Sequence, residues 1–169
     1  IVITGHTGLK GSWLSLWLNY LGANVYGISN NFKINQTNFN NFKMKKNIKN
    51  FDVDIRNFEK LNKVIKKIKP DFIFHFAAQS LVGASYKQPL YNFETNFNGT
   101  LNLLEVLRLS NFKCVSIMIT SDKSYRNFEI KRGYVEEDIL GGDDPYSASK
   151  GSAEFVINSY FKSFLKNKK

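Results

Sequence analysis

Cysteine is nearly absent: the 169 residues contain one, Cys114. A single thiol excludes an internal disulfide framework and any cysteine-rich metal site, and no metal is expected. Cys114 opens an apolar stretch and reads as a small core residue. Arginine is scarce too. Of 24 basic residues only Arg56, Arg108, Arg126 and Arg132 are arginines, and against 14 acidic residues the net charge is +10. Such a charge invites nucleic acid. The lysines, however, fall in short runs at 43–46, 66–69 and in the tail at 166–169, with no interleaved aromatics, and arginine is the better base reader. Solvated faces are the expectation, and no nucleic-acid partner, although the field would favour an anionic ligand such as a nucleotide. Long apolar runs are missing as well. The greasiest stretch, Trp13–Leu21, is short and interrupted by Ser15 and Asn19, so no membrane span is expected. An initiator methionine is also lacking. The opening Ile1-Val2-Ile3 looks like the inside of a strand, so the natural start is expected upstream, and a cytoplasmic location is expected.

What is present fits a globular protein. The chain is 43% hydrophobic and 15% aromatic, which argues against disorder, and its length suits one domain over 1–169 with a real core. Short apolar strands are expected at Ile1–Thr4, Val25–Ser29, Ile48–Val53, Phe72–Phe76 and Val115–Ile119. Helical spacing follows the first at Leu14, Trp17, Leu18 and Leu21, the third at Phe58, Leu61, Val64, Ile65 and Ile68, and the fourth at Phe93, Phe97, Leu101 and Leu104. Asn57 is placed to cap the second of these helices and Pro70 to stop it. Residues 30–47 read as a long polar loop, 124–144 as another, and a last helix is expected from Pro145 to about Phe164. Strands apolar on both faces and alternating with helices imply a doubly wound α/β fold with a parallel sheet, in the order 3-2-1-4-5.

Two motifs carry chemistry. "VITGHTGLKG" sets Gly5, Gly8 and Gly11 between the first strand and the first helix. There the first glycine permits a tight turn, the second admits a pyrophosphate, and the third allows close packing of helix on sheet. The helix N-terminus then faces the phosphates. The second strand ends Gly27-Ile28-Ser29-Asn30-Asn31, with Lys33 beyond, and offers no carboxylate for the adenosine ribose, so this position does not choose NAD over NADP. "DPYSASK" sets Tyr146 and Lys150 one helical turn apart. An ammonium beside a phenol stabilises phenolate, and such a tyrosine can take a proton from a substrate hydroxyl while hydride leaves the carbon. His75 reads as a core histidine with its hydrogen bonds satisfied.

With "DFIFHFAAQS" (71–80), "SYKQPLYNFETNFNGTLNLLE" (85–105) and Asp54-Ile55 added, the chain resembles the extended short-chain dehydrogenases/reductases over essentially its whole length. The resemblance implies a dinucleotide on Gly5, His6, Thr7, Gly8, Leu9 and Gly11, with Asp54 and Ile55 at the adenine. It implies Ala77, Ala78 and Gln79 along the ribose and phosphates, Asn96 ordering the site, and Thr120 and Ser121 beside Tyr146 and Lys150. Its cofactor would be NAD. "TSDKSY", "GHTGLKGSWLSLWL" and "EEDILGGDDPYSASKGSAE" resemble the sugar-nucleotide 4,6-dehydratases, in particular the branch acting on CDP-glucose, with Leu9 where phenylalanine is more usual. These enzymes oxidise C4 of the sugar, eliminate water across C5 and C6, and return hydride to C6. Asp122 would protonate the departing C6 hydroxyl. Lys123, where most dehydratases carry a glutamate base, would act either as a base with a depressed pKa or as a charge that stabilises the enolate, with Lys150 as a cationic neighbour. The substrate would be a nucleotide sugar and the full-length protein a homo-oligomer. Alternatives are a sugar-nucleotide epimerase or reductase, which gives Asp122 no work, and a silent dinucleotide-binding fragment, because the family's substrate-binding part lies mostly beyond residue 169.

Overall fold

The computed structural model describes residues 1–30 and 48–168. The expectations for residues 31–47, including Lys33 and the lysine run at 43–46, lie outside them. Strands β1 (Val2–Thr4), β2 (Tyr26–Ser29), β3 (Lys49–Asp52), β4 (Phe72–His75) and β5 (Val115–Met118) form one sheet, parallel throughout, in the order β3-β2-β1-β4-β5. Helices α1 (Leu9–Tyr20), α2 (Phe58–Ile68), α3 (Val82–Lys87), α4 (Pro89–Phe93), α5 (Gly99–Arg108) and α6 (Pro145–Tyr160) flank it. A π turn, Glu94–Asn98, joins α4 to α5, and another, Phe161–Leu165, extends α6. The expected order and parallel pairing are both present.

The core lies between the sheet and α2 and α5, where Val2, Ile28 and Ile73 from three strands meet Leu61, Ile65, Leu103 and Val106. Helix α2 follows its sequence pattern: Asn57 Oδ1 accepts the Lys60 N–H at 3.0 Å, and Phe58, Val64 and Ile68 pack around the buried Leu61 and Ile65. Three expectations need correction. Helix α1 does not bury Trp17 or Leu21, both 64% exposed; it buries the small residues Gly11, Ser12 and Ser15, because its first turn lies too close to the sheet for a bulky side chain. The run from Tyr91 buries Asn92, Thr95, Asn96 and Thr100 at its start, not Phe93 and Phe97, because Asn92, Asn96 and Thr100 hold that end by hydrogen bonds rather than by apolar packing. Strand β5 is not buried. It is the edge strand of the sheet, Val115 is 55% exposed, and Ser116 to Met118 are half-buried.

Candidate active site

A cleft of about 390 Å³ opens at the carboxyl ends of the strands, the place where an open parallel sheet binds ligands. Each strand supplies the residues after its last rung: Gly5 and Thr7 to Gly11 after β1, Asn30 after β2, Val53 to Ile55 after β3, Phe76 to Ala78 after β4, and Ile119 and Thr120 after β5.

The glycine turn is built by steric exclusion. Gly5 has φ +71°, and a Cβ there would lie 2.7 Å from the Ala77 nitrogen. A Cβ on Gly11 would lie 2.3 Å from the Gly5 carbonyl oxygen, so α1 approaches the turn at backbone distance. Gly8 is the N-cap of α1 and offers no side-chain bond, so the first-turn N–H groups are left to the cleft beside Thr7 and Leu9. His6 does not line the cleft. It is fully buried, its Nε2 pairs with Asn50 Oδ1 at 2.7 Å, and its ring fills the space below Gly27.

A carboxylate does reach the end of β2, but it comes from the loop after β3. Asp54 Oδ2 accepts the Asn30 side-chain amide at 3.2 Å, and Arg56 grips the same carboxylate at 2.7 Å. Burial alone would raise Asp54, but hydrogen bonds from Arg56 and Asn30 outweigh it and hold the acid below its usual range. Arg56 also binds Glu94 at 3.0 Å and lies 4.6 Å from the Tyr91 ring centre. Ile55 lines the cleft beside Asp54. The buried hydroxyls of Ser29 and Thr95 also line it, and neither oxygen has a hydrogen-bond partner among the described residues. Unspent donors at the α1 terminus, two unspent hydroxyls and a long cleft that no Cβ obstructs are what a dinucleotide requires.

Tyr146 and Lys150 enter from α6, whose N-terminus Asp144 caps by accepting the Ser147 N–H at 3.0 Å. Both are buried, and both line the cleft with Thr120. Burial pushes Lys150 down from 10.5 to about 8; Glu154 opposes the shift and Lys10 adds to it. Its ammonium donates to the Ile119 carbonyl at 3.3 Å. Lys10 is the cation that adds to the downward shift of Lys150. Ala77 and Ala78 line the cleft, whereas Gln79 and Asn96 stand behind it. Asn96 Oδ1 accepts the Gln79 N–H at 2.9 Å, and its amide donates to the Gln79 carbonyl at 3.0 Å and to Ser149 Oγ at 2.9 Å, tying the loop after β4 to α6.

Asp122 and Lys123 lie outside this cleft. They line an adjoining depression of about 370 Å³ with Tyr125, Asn127, Tyr134 and Asp144. The two spaces meet across consecutive residues, Tyr146 facing one and Ser147 the other. Asp122 and Lys123 are exposed and open a 3₁₀ turn, Asp122–Ser124. Ser121 caps that turn, accepting the Lys123 N–H and donating to Asp122 Oδ1, each at 3.2 Å, so Thr120 alone of the expected pair shares the cleft with Tyr146.

Reasoning from sequence missed Lys10, Tyr91, Thr95 and Glu154. Thr95 lies on the π turn and shares an inward face with Asn92, Asn96 and Gly99, a polar stripe that apolar periodicity passes over. Glu154 stands four residues beyond Lys150, a spacing that could have been noticed.

The profile of the family described as GDP-mannose 4,6 dehydratase matches residues 2–165. The chain is 46% identical over 166 residues to the CDP-glucose 4,6-dehydratase of Salmonella typhimurium, covering 98% of this chain and 46% of that protein. It thus spans about half the length of the curated relatives it matches. Among solved structures, the dTDP-glucose 4,6-dehydratase of Streptomyces venezuelae with NAD and TYD bound superposes with a TM-score of 0.81 at 25% identity, over 96% of this chain and 51% of that one. The UDP-glucose 4-epimerase of Thermus thermophilus in complex with NAD gives 0.79 at 27% identity, over 96% and 51%. A glycine turn under a parallel sheet, a buried Tyr146–Lys150 pair and a match along nearly the whole chain agree: this chain belongs to the GDP-mannose 4,6 dehydratase family of short-chain dehydrogenase/reductase proteins.

Proposed function

We propose that the protein carrying this chain is a sugar-nucleotide 4,6-dehydratase, that its substrate is a nucleotide-diphosphate glucose, CDP-glucose first, and that its cofactor is NAD. The observation that carries this is the division of the residues after β5 between two adjoining spaces: Thr120 shares one with Tyr146 and Lys150, and Asp122 and Lys123 share the other. Oxidation at C4 and elimination at C5–C6 need separate groups a short distance apart on one sugar. The similarity to a CDP-glucose 4,6-dehydratase and to structures holding NAD supports the choice of substrate and cofactor.

NAD held by the glycine turn would supply the acceptor for the C4 hydride and the donor of the hydride to C6. The protein's own residues do the rest. Tyr146, as phenolate, takes the C4 hydroxyl proton, and the Lys150 ammonium favours that phenolate. The C4 ketone acidifies the C5 proton, which passes either to Lys123 acting as the base or to water while the Lys123 charge stabilises the enolate left behind, and a proton returns to C5 when hydride reaches C6. Asp122 gives a proton to the C6 hydroxyl, which leaves as water. The location we propose for the protein is the cytoplasm.

Asp122→Asn in the full-length protein tests this. General acid catalysis is worth about 10²–10⁴-fold. The variant should bind NAD and still oxidise C4, while release of 4-keto-6-deoxy product falls by that factor. Product formed at the wild-type rate would leave Asp122 without work and favour an epimerase or reductase.

A further inference from the structure

Lys150 is 6% exposed, and the hydrogen-bond partner found for its ammonium is the Ile119 carbonyl at 3.3 Å. A buried cation held by one carbonyl is costly unless a charge compensates it. Other charged or titratable groups lie around it: Lys10 from α1, His75 from β4, which feels its charge, Tyr146 one turn earlier on α6, and Asp122 and Lys123 on the turn packed against α6. Glu154, half-buried and one turn further along α6, is the carboxylate whose charge opposes the effects of burial and Lys10. Its Oε1 also accepts the Thr120 hydroxyl at 2.5 Å. The end of β5 is thus tied to α6 twice, through Ile119 to Lys150 and through Thr120 to Glu154. With its proton committed to Glu154, Thr120 can offer the cleft only its lone pairs.

We propose that Glu154 is a positioning residue for the Tyr146–Lys150 pair: its carboxylate keeps an anion one helical turn from the Lys150 ammonium and fixes Thr120 as a hydrogen-bond acceptor toward the cleft. Glu154 touches neither substrate nor cofactor in this role, which rests on the assignment of Tyr146 and Lys150 to the C4 step. Removing the anion leaves Lys150 with burial and Lys10, both of which favour the neutral amine, and a neutral amine no longer stabilises the phenolate.

The test uses the full-length protein as Glu154→Gln and Glu154→Asp. Two quantities are read: the NMR titration of the Lys150 side-chain nitrogen without substrate, and the pH profile of kcat/KM. In the Gln variant the titration should move down by about one pH unit, and the alkaline limb of the profile should move with it. The Asp variant should recover about half of the shift. A Lys150 titration unchanged in the Gln variant, or an activity loss equal at every pH, overturns the proposal. Should the Gln variant not fold, the Asp variant is read against wild type, where a smaller downward step supports the proposal and no step overturns it. Absence of turnover by the wild type would sink the dehydratase assignment, and the substrate-free titration would still decide the role of Glu154.

Discussion

His75 links the first strand to the site through hydroxyls. The Thr100 hydroxyl donates to the Asn96 carbonyl at 2.7 Å, so its oxygen accepts from His75 Nε2 at 3.2 Å. His75 Nδ1 then accepts the Thr4 hydroxyl at 2.7 Å, and that oxygen receives the Ala77 N–H at 3.2 Å. The ring is therefore neutral with its proton on Nε2, the core histidine expected from sequence. Burial pushes it down from 6.5 to about 3, with Lys150 adding to the shift, and burial lowers His6 in the same direction. The unfolded chain thus binds protons below pH ~6.5 that the folded chain refuses. The stability these rings contribute is intact above that pH and is lost as pH falls toward 3. Urea midpoints should therefore drop between pH 7 and pH 5.5, before ordinary carboxylates titrate; a flat midpoint over that interval would show that His75 carries a proton in the fold.

Helix α1 is positioned by what its first turn lacks. A Cβ at Gly11 would meet the Gly5 carbonyl oxygen at 2.3 Å and the His6 Cα at 2.9 Å, and backbone cannot move aside as a flexible side chain can. Gly11→Ala should push α1 off the sheet and cost about 1–3 kcal/mol, the usual range for overpacking. It should also weaken NAD binding, because the N–H groups at the start of α1 move with the helix. Gly83→Ala on α3, where nothing lies within 4 Å, is the control and should not lower stability. Denaturant unfolding and an NAD titration of both variants check this, and a Gly11→Ala protein as stable as wild type would mean that the helix is not held at backbone distance.

Over the whole molecule the net charge is +10, yet the cleft carries local charges of both signs. Lys10 lies near Lys150, while Arg56 is shared by two carboxylates, Asp54 and Glu94, beside the end of β2. Among the described residues, one guanidinium between two carboxylates leaves net negative charge near Asn30, which disfavours a 2′-phosphate there. The full-length protein should therefore bind NAD at least tenfold more tightly than NADP, about 1.4 kcal/mol. Calorimetric titration with each dinucleotide measures the ratio, and a preference for NADP would show that Arg56 releases its carboxylates. No helix among the described residues is long and apolar enough to cross a membrane.

The strand order and parallel pairing, the α2 face with its Asn57 cap, and the spacing of Gly5, Gly8, Gly11, Tyr146 and Lys150 were legible in the residues alone. Each follows from local rules: strand and helix periods, side-chain capping, and backbone freedom where no Cβ is present. Tertiary structure decided which faces are buried and which groups meet. Trp17 and Leu21 share the apolar spacing of Leu14 and Leu18, but contact with the turn at Gly5 selects Gly11, Ser12 and Ser15 for the sheet. Asn92, Thr95, Asn96 and Thr100 share the helical spacing of an inward face, but that face is polar, and only packing against Gln79 and Ser149 selects it over the face of Phe93 and Phe97. Asp54 reaches the end of β2, and Glu154 reaches Thr120, across 24 and 34 residues of chain. Such pairings depend on how neighbouring strands and helices bring distant segments together, and no periodicity within a segment records its neighbour.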